Sequence, residues 1–215
     1  MTHQEYPGKL IVVDGLDCAG KSSVIVPSIK KWFDDHGIPA MAVADMNTTE
    51  YSKAIRSIFL GEVGRNVEIT TLIMLSCSAR RELIQTVIRP ALEKGIHVIC
   101  DRFASTTYVF GEGAKSMRQL LDLSLDGIRP DYTFMCTLDW DDFVLRQQGR
   151  GIVKDRFEEA GREKFEHRKL RYFEYFEMTH ANVTTLNTSE SKEEVQNEIN
   201  QMLKHVFIKQ RHYVH

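Results

Sequence analysis

The sequence is poor in the features that mark disulfide-rich, nucleic-acid-coating and membrane-spanning proteins. Its four cysteines lie far apart and form no Cys-x-x-Cys pair, which argues against a zinc site and predicts reduced, mostly buried thiols. The formal net charge is only -2, from 28 basic and 30 acidic residues, so no bulk attraction to nucleic acid or anionic membrane is expected. No apolar run reaches bilayer-spanning length, and the N-terminus lacks a signal-like pattern. We therefore expect a cytoplasmic protein with neither a membrane nor a nucleic-acid partner.

Short apolar runs alternate with helix-like segments along the chain. Five runs read as buried strands, at residues 9–14, 40–45, 95–101, 131–139 and 182–188. Strands that alternate with helices favour parallel pairing through right-handed crossovers. The 215 residues, 42% of them hydrophobic, suit one compact domain. The pattern thus predicts a single α/β domain over residues 1–215, a three-layer α/β/α fold with a five-stranded parallel sheet.

Four of the predicted helices carry specific signals. Helices are expected from Lys21 to about His36 and from about Val67 to Lys94, where apolar residues recur at helical spacing. The last helix should open with a capping box formed by Ser191 and Glu194. In the helix before it, a stripe is expected to pack into the core: Phe165, Tyr172, Phe173 and Phe176.

Residues 15–22, Gly-Leu-Asp-Cys-Ala-Gly-Lys-Ser, directly follow the first apolar run and open a helix. This is the pattern and the context of a phosphate-binding loop, in which backbone N–H groups curl round an anion at a helix N-terminus. Lys21 should reach the β- and γ-phosphates of a nucleotide, and Ser22 should offer its hydroxyl to Mg²⁺. The residues predicted to bind ATP here are Gly15, Cys18, Ala19, Gly20, Lys21, Ser22 and Ser23.

Two charged residues, Asp101 and Arg102, stand at the carboxyl end of a predicted central strand, where open parallel sheets bind ligands. The acid is suited to holding Mg²⁺ or its waters, and the arginine to gripping a second phosphate. A plain surface ion pair is the alternative.

A basic, glycine-punctuated stretch covers residues 146–159 and contains Arg146, Arg150, Lys154 and Arg156. Phosphoryl transfer needs positive charge and exclusion of water, so a basic flap over about residues 146–160 is expected to close on bound nucleotide as a lid. A solvated, charge-rich loop is the alternative.

These pieces resemble the thymidylate kinase family of P-loop nucleoside monophosphate kinases. The resemblance rests on "DGLDCAGKSS", "SARRELIQTVIRPALEKGIHVICDRF", "RPDYTFMCTLD" and "RQQGRGIVKDRFEE", whose order covers roughly residues 9 to 187. It implies ATP as donor and, commonly, a homodimer. It also implies residue roles: Asp17 near the sugar and acceptor phosphate, Arg102 on that phosphate, Arg80 at the base edge, Ser105 and Thr106 as the hydroxyl pair behind the Asp-Arg motif, and Arg146 beside adenine.

The sequence departs from that family at several positions. Cys18 stands where some members carry a catalytic arginine, so the transition-state charge should come from the lid, from Arg150 or Arg156, which the sequence does not separate. Ser76 stands where a phenylalanine stacks on thymine, and Phe110 or Phe103 is expected to take over. "DMNTTE" replaces the usual Arg-Glu-Pro-Gly, which removes a phosphate-gripping arginine, and Arg56 is the candidate replacement.

The predicted reaction is direct in-line transfer of the ATP γ-phosphoryl group to a deoxynucleoside monophosphate, dTMP or a related deoxypyrimidine monophosphate. The acceptor oxygen is already anionic, so positioning and charge neutralisation carry the catalysis without a strong base. Three alternatives remain open from the residues: a kinase for a broader or 5-substituted set of bases, a catalytically silent nucleotide-binding switch, and a kinase acting on an end within DNA.

Overall fold

The computed structural model describes residues 5–112, 114–149 and 161–207, and its core is a five-stranded parallel sheet. The strands are β1 (Leu10–Gly15), β2 (Ala40–Ala44), β3 (His97–Asp101), β4 (Tyr132–Thr137) and β5 (Val183–Asn187). Their order in the sheet is β2-β3-β1-β4-β5. The predicted α/β class, with a five-stranded parallel sheet and flanking helices, is confirmed.

Ten α-helices connect and cover these strands within the described residues. They are α1 (Val26–Asp35), α2 (Glu50–Leu60), α3 (Glu62–Arg65), α4 (Ile69–Leu83), α5 (Arg89–Glu93), α6 (Ala104–Phe110), α7 (Met117–Leu125), α8 (Trp140–Gly149), α9 (Arg162–Thr179) and α10 (Lys192–Phe207). Two π-helical turns, Lys21–Ile25 and Ile84–Ile88, precede α1 and α5. The long helix expected to Lys94 therefore exists as α4, a π-helical turn and α5 in succession.

Helices pack on both sides of the sheet. On one side α1 meets α10, with the rings of Phe33 and Phe207 4.9 Å apart between centroids. On the other side α6 packs against α9 and α4 against α7. The capping box predicted for α10 is present, since the Ser191 N–H donates to Glu194 Oε2 and the Glu194 N–H donates to Ser191 Oγ. None of the described helices is both long and apolar enough to cross a membrane.

The aromatic stripe of α9 is confirmed at three of its four predicted positions. Phe165, Tyr172 and Phe176 are buried, and Tyr172 is fully enclosed. The prediction for Phe173 is wrong, because its side chain is 42% exposed, and Tyr175 is buried in its place. Positions 172, 175 and 176 follow the 3-4 spacing of one helix face, whereas 173 lies beyond that face.

The parallel register brings the functional ends of three strands together. Val13 pairs with Asp101 of β3, and Gly15 pairs with Cys136 of β4. The loops after β1, β2 and β3 therefore emerge at the same edge of the sheet, beside its centre, which is where open parallel sheets bind ligands.

Candidate active site

The turn after β1 is shaped by residues in the left-handed region of backbone space. Gly15 has φ 120°, and a Cβ there would lie 2.2 Å from the carbonyl oxygen of Cys136, so only glycine fits. Cys18 and Gly20 follow with φ 61° and 73°. Backbones that alternate right- and left-handed residues form concave nests of N–H groups that bind anions. Lys21 then starts the π-helical turn that leads into α1.

The amino group of Lys21 lies within this turn and is nearly enclosed. Lys21 Nζ donates hydrogen bonds to the carbonyl oxygens of Gly15, at 3.0 Å, and Leu16, at 2.5 Å. Burial, together with the nearby Arg102, lowers the pKa of Lys21 despite the opposing pull of Asp17. A buried cation that bonds two carbonyl oxygens, beside a nest of amides, is well suited to meeting the oxygens of a phosphate.

Ser22 and Asp101 form the candidate magnesium site. The Ser22 hydroxyl donates to Asp101 Oδ2, and the other oxygen, Oδ1, is buried without a hydrogen-bond partner among the described residues. Mg²⁺ is commonly held by one or two carboxylates while phosphates and waters complete its shell. The hydroxyl, the adjacent carboxylate and its unused oxygen therefore fit such an ion. No cluster of three or more His, Cys, Asp or Glu residues suited to a metal occurs in the part of the chain that the structure describes.

Arg102 sits beside the phosphate loop and faces Asp17. Its backbone has φ 66°, and its N–H donates to the Val13 carbonyl at 2.9 Å, which turns the chain sharply after β3. The guanidinium donates to Asp17 Oδ1 and, at 3.2 Å, to Thr106 Oγ1. Burial raises the pKa of Asp17, but Arg102 and Lys21 outweigh it, and the net pKa lies below the ordinary 3.8. Asp17 is thus held as a carboxylate between two cations.

A buried carboxylate that the sequence analysis missed, Asp14, organises this arrangement. Asp14 is wholly inaccessible and accepts hydrogen bonds from the backbone N–H groups of Gly15, Phe103 and Thr106. It also accepts from the hydroxyls of Ser105, Thr106 and Tyr172. These bonds fasten the start of the phosphate loop to the turn after β3 and to α9. An aspartate at the end of an otherwise apolar strand, directly before a required glycine, was the available signal.

A cavity of about 290 Å³ opens beside the phosphate loop. Twelve of the residues predicted for the site line it: Asp17, Cys18, Ala19, Gly20, Lys21, Ser22, Ser23, Arg56, Ser76, Arg102, Thr106 and Phe110. Six lining residues were not predicted: Asp45, Met46, Phe59, Leu60, Ile73 and Thr107. They come from α2, α4, α6 and the turn after β2, elements that no single sequence motif connects.

Several predicted residues lie near the cavity without lining it. Ser105 is buried on Asp14, and Phe103 is packed in the core with the Arg80 guanidinium 5.5 Å from its ring centroid. Arg146 is joined to the loop from outside, donating to the Cys18 carbonyl at 3.3 Å and to Thr188. Gly15 and Asp101 support the loop from the sheet edge. The lid cations Arg150, Lys154 and Arg156 lie outside the described residues.

Arg80 differs most from its expected place at the base edge. Its side chain is fully buried behind the cavity wall, where it donates to Asp45 Oδ2 at 3.1 and 2.6 Å. Asp45 is also buried, and that burial raises its pKa although Arg80 opposes the shift. The physical reason for the displacement is Asp45 itself, an anion that occupies the segment in which the family pattern has Arg-Glu-Pro-Gly.

None of the four cysteines forms a disulfide, and all are buried, as the sequence predicts. Burial raises the pKa of Cys136 to about 12 and that of Cys100 well above its ordinary value. These thiols therefore stay protonated at neutral pH and behave as small core side chains.

A glycine-shaped phosphate loop on a parallel sheet, with a buried lysine and a second arginine-bearing turn across one cavity, defines a P-loop phosphotransferase. The family model described as thymidylate kinase matches residues 13–199. The chain belongs to the thymidylate kinase family, and so it is an enzyme of the nucleoside monophosphate kinase group.

Individual relatives agree with this assignment. The chain is 31% identical over 201 residues to the thymidylate kinase of Neisseria gonorrhoeae, covering 91% of this chain and 96% of the relative. It is 30% identical over 190 residues to the thymidylate kinase of Mesoplasma florum, covering 86% and 90%. With that of Pseudoalteromonas translucida it shares 27% over 208 residues, covering 94% and 99%. The similarity extends over nearly the whole length of each protein.

Proposed function

We propose that this enzyme transfers the γ-phosphoryl group of ATP to a deoxynucleoside monophosphate, dTMP or a related deoxypyrimidine monophosphate, giving the diphosphate. The observation that carries the proposal is one continuous cavity, lined at one end by Lys21 and the phosphate loop and at the other by Ser76 and Phe110. Arg102 lines the same cavity and bonds to Asp17 and Thr106. A donor phosphate and an acceptor nucleotide can lie side by side in this cavity.

In this proposal the cations bring two anions together against their repulsion. Lys21 and the loop amides hold the donor phosphates, and Arg102 holds the acceptor phosphate beside Thr106. Asp17 keeps Arg102 oriented and faces the sugar. Because Cys18 carries no charge, Arg150 or Arg156 supplies the remaining positive charge as the lid over residues 146–160 closes. Arg146, tied to the loop backbone and to Thr188, flanks the adenine.

Ser22 and Asp101 would hold Mg²⁺, which when bound neutralises charge on the donor phosphates. The remaining predicted acceptor contacts are Arg56, Arg80, Phe103, Ser105 and Phe110. Of these, Arg56 and Phe110 line the cavity, which supports direct contact with the acceptor. Arg80, Phe103 and Ser105 are buried and do not line the cavity, so we propose an indirect role for them. We propose that the chain acts as one cytoplasmic kinase domain.

A homodimer is also proposed, and one exposed face supports it. On α2, Tyr51 and Ile58 are 45% and 38% exposed, and on α4, Met74 is 53% exposed. The Tyr51 hydroxyl lies 3.0 Å from Ser78 Oγ, which places these two helix faces side by side. Light scattering of the purified enzyme against an Ile58→Glu variant tests this pairing.

A second candidate is a kinase for a broader set of bases, including 5-substituted deoxyuridylates. It is favoured by Ser76, because a small hydroxyl stands in the cavity wall where an aromatic ring would limit the space.

The discriminating experiment is ADP release with ATP and a panel of nucleoside monophosphates, a 5-hydroxymethyl deoxyuridylate and an oligonucleotide. Turnover of dTMP supports the proposal, and turnover of several bases at similar kcat/KM supports the broader kinase. ATP binding without turnover of any acceptor would replace both with a nucleotide-dependent switch. Turnover of the oligonucleotide alone would indicate a kinase acting on DNA ends.

A further inference from the structure

The buried Arg80 donates to more than Asp45. Its Nη2 also donates to the hydroxyl oxygen of Thr107 and, at 3.3 Å, to the carbonyl oxygen of Phe103. Arg80 and Asp45 expose only 1% and 5% of their side chains. The guanidinium is therefore held by three groups and does not line the cavity, whereas two of those groups, Asp45 and Thr107, do.

Thr107 is the hydroxyl partner of Arg80 that reaches the cavity, which Asp45 also lines. It lies on α6 and lines the cavity beside Ser76 and Ile73. A threonine hydroxyl has one proton to donate, and a guanidinium has only protons to give. Since Arg80 donates to Thr107 Oγ1, the hydroxyl proton must point towards another acceptor.

The acceptor available to the Thr107 hydroxyl in the structure lies at a long hydrogen-bonding distance. Ser76 Oγ lies 3.4 Å from Thr107 Oγ1, and the Ser76 hydroxyl can itself donate to the Ile73 carbonyl at 3.2 Å. With its proton used in the helix, Ser76 acts as the acceptor for Thr107. A separation of 3.4 Å is at the weak limit of hydrogen bonding, so a bound ligand with a closer acceptor would replace Ser76 as the partner of Thr107.

Whether the Thr107 hydroxyl donates or accepts matters because its surroundings are largely apolar. Apolar side chains of Phe59, Leu60, Ile73 and Phe110 line the same cavity. Thr107 and Ser76 are only 5% and 2% exposed, so they form the floor. In an apolar cavity, a hydrogen-bond donor of the protein that faces a donor of the ligand is left without a partner. A site built to hydrogen-bond one polar group therefore discriminates strongly against ligands that lack that group.

We propose that Thr107 is the specificity-determining residue for the acceptor base, and that its hydroxyl donates to the exocyclic oxygen of a 4-oxopyrimidine. Arg80, which does not line the cavity, and Asp45, which does, are positioning residues that fix the direction of that proton. A 4-aminopyrimidine presents N–H groups at the same edge and is rejected because donor meets donor. This inference rests on the proposed function and specifies how its acceptor is chosen.

The test compares kcat/KM for dTMP and dCMP, with saturating ATP, in three variants. Thr107→Val keeps the side-chain shape and removes the hydroxyl, and it should lower the dTMP/dCMP ratio at least about tenfold, mainly through a higher KM for dTMP. Thr107→Ser restores the hydroxyl and should return the ratio to within about threefold of the parent. Ser78→Ala, which removes an outward hydroxyl on α4, is the matched control and should leave the ratio unchanged.

The positioning role has its own measurement. Arg80→Lys keeps the positive charge but cannot hold Asp45 and Thr107 with one fork, so it should lower the same ratio through KM while kcat for dCMP stays constant. A purely structural role for Arg80 would lower both substrates' kcat/KM together.

The outcomes separate the two proposals. A Thr107→Val enzyme that melts like the parent and keeps its dTMP/dCMP ratio overturns the role of Thr107 while leaving the kinase intact. Parent enzyme that binds ATP but turns over neither nucleotide overturns the proposed function, and this inference with it. A parent enzyme that prefers dCMP to dTMP overturns the proposed donor role of the Thr107 hydroxyl and leaves the kinase activity intact.

Discussion

The two ends of the active-site cavity are built in different ways. The phosphate end comes from consecutive residues, 15–23, whose backbone and one buried lysine do most of the work. The base end gathers side chains from α2, α4, α6 and the turn after β2. Of the departures that the sequence suggests from the family it resembles, Ser76 and the segment at residues 45–50 lie at the base end and Cys18 lies at the phosphate end, which keeps its glycines, Lys21 and Ser22. A backbone anion site tolerates little change, while a side-chain pocket can be rebuilt one residue at a time.

Asp14 connects the two ends. It bonds Gly15 on the phosphate side and Phe103 and Thr106 on the acceptor side, and it reaches Tyr172 of α9. A buried carboxylate that accepts this many hydrogen bonds resists movement of any partner. The ends can therefore diverge in sequence while staying fixed relative to each other.

The largest expected effect breaks the base end. Asp45→Ala leaves Arg80 charged, buried and without its carboxylate, so the free energy of unfolding should fall by about 3–5 kcal/mol. Urea unfolding at pH 7 measures this loss. Asp35→Ala, which breaks the exposed Lys31–Asp35 pair of α1, is the control and should cost less than about 1 kcal/mol. Equal losses in the two variants would refute the buried pair as the anchor of this end.

The second-largest effect is expected from removing the charge at the phosphate end with a substitution that leaves no cavity. Lys21→Met removes the buried cation but keeps the chain length, and kcat/KM should fall by about 10²- to 10³-fold, the usual cost of losing one transition-state charge contact. Steady-state ADP release measures it. Lys31→Met, which replaces an exposed lysine on α1, should leave the rate unchanged. A parent-like rate for Lys21→Met would remove the phosphate loop from the mechanism.

A smaller effect, expected on substitution of Arg146, distinguishes binding of the donor from binding of the acceptor. Arg146→Ala removes the bonds to the Cys18 carbonyl and Thr188, so KM for ATP should rise about tenfold while KM for dTMP stays constant. Initial rates with each substrate varied in turn separate the two constants. Arg118→Ala, at an exposed position of α7, serves as the control. A matching rise in the KM for dTMP would place Arg146 at both ends.

The smallest effect depends on pH. The folded pKa of Asp17 lies below 3.8, so the unfolded chain binds this proton more readily than the folded chain. The stabilisation from the Asp17–Arg102 pair is therefore complete above about pH 4 and is lost as the pH falls through the folded value. Urea unfolding of the parent and of Asp17→Asn should show a stability gap at pH 6 that narrows towards pH 3. A gap that widens on acidification would reverse the sign of the shift.

The sequence by itself determined the fold class and the phosphate end of the site. Strand runs, helix periodicity and the loop at residues 15–22 are local patterns, because backbone geometry and helix starts depend on neighbouring residues. The five strands, the capping box at Ser191 and most of the α9 stripe followed from them; Phe173 failed because each helix residue turns by about 100°, which carries position 173 off the face that Tyr172 and Phe176 share.

Only the tertiary structure decided the base end. Asp45 and Arg80 are 35 residues apart, and Asp14 lies 92 residues from Thr106, so no spacing along the chain announces their hydrogen bonds. Arg80 resembled a base-contacting arginine in the sequence, yet an anion at position 45 holds it behind the wall and leaves Thr107 facing the cavity. Electrostatic pairing in a dry interior acts over a few ångströms of space and is indifferent to distance along the chain, which is why the fold had to be known first.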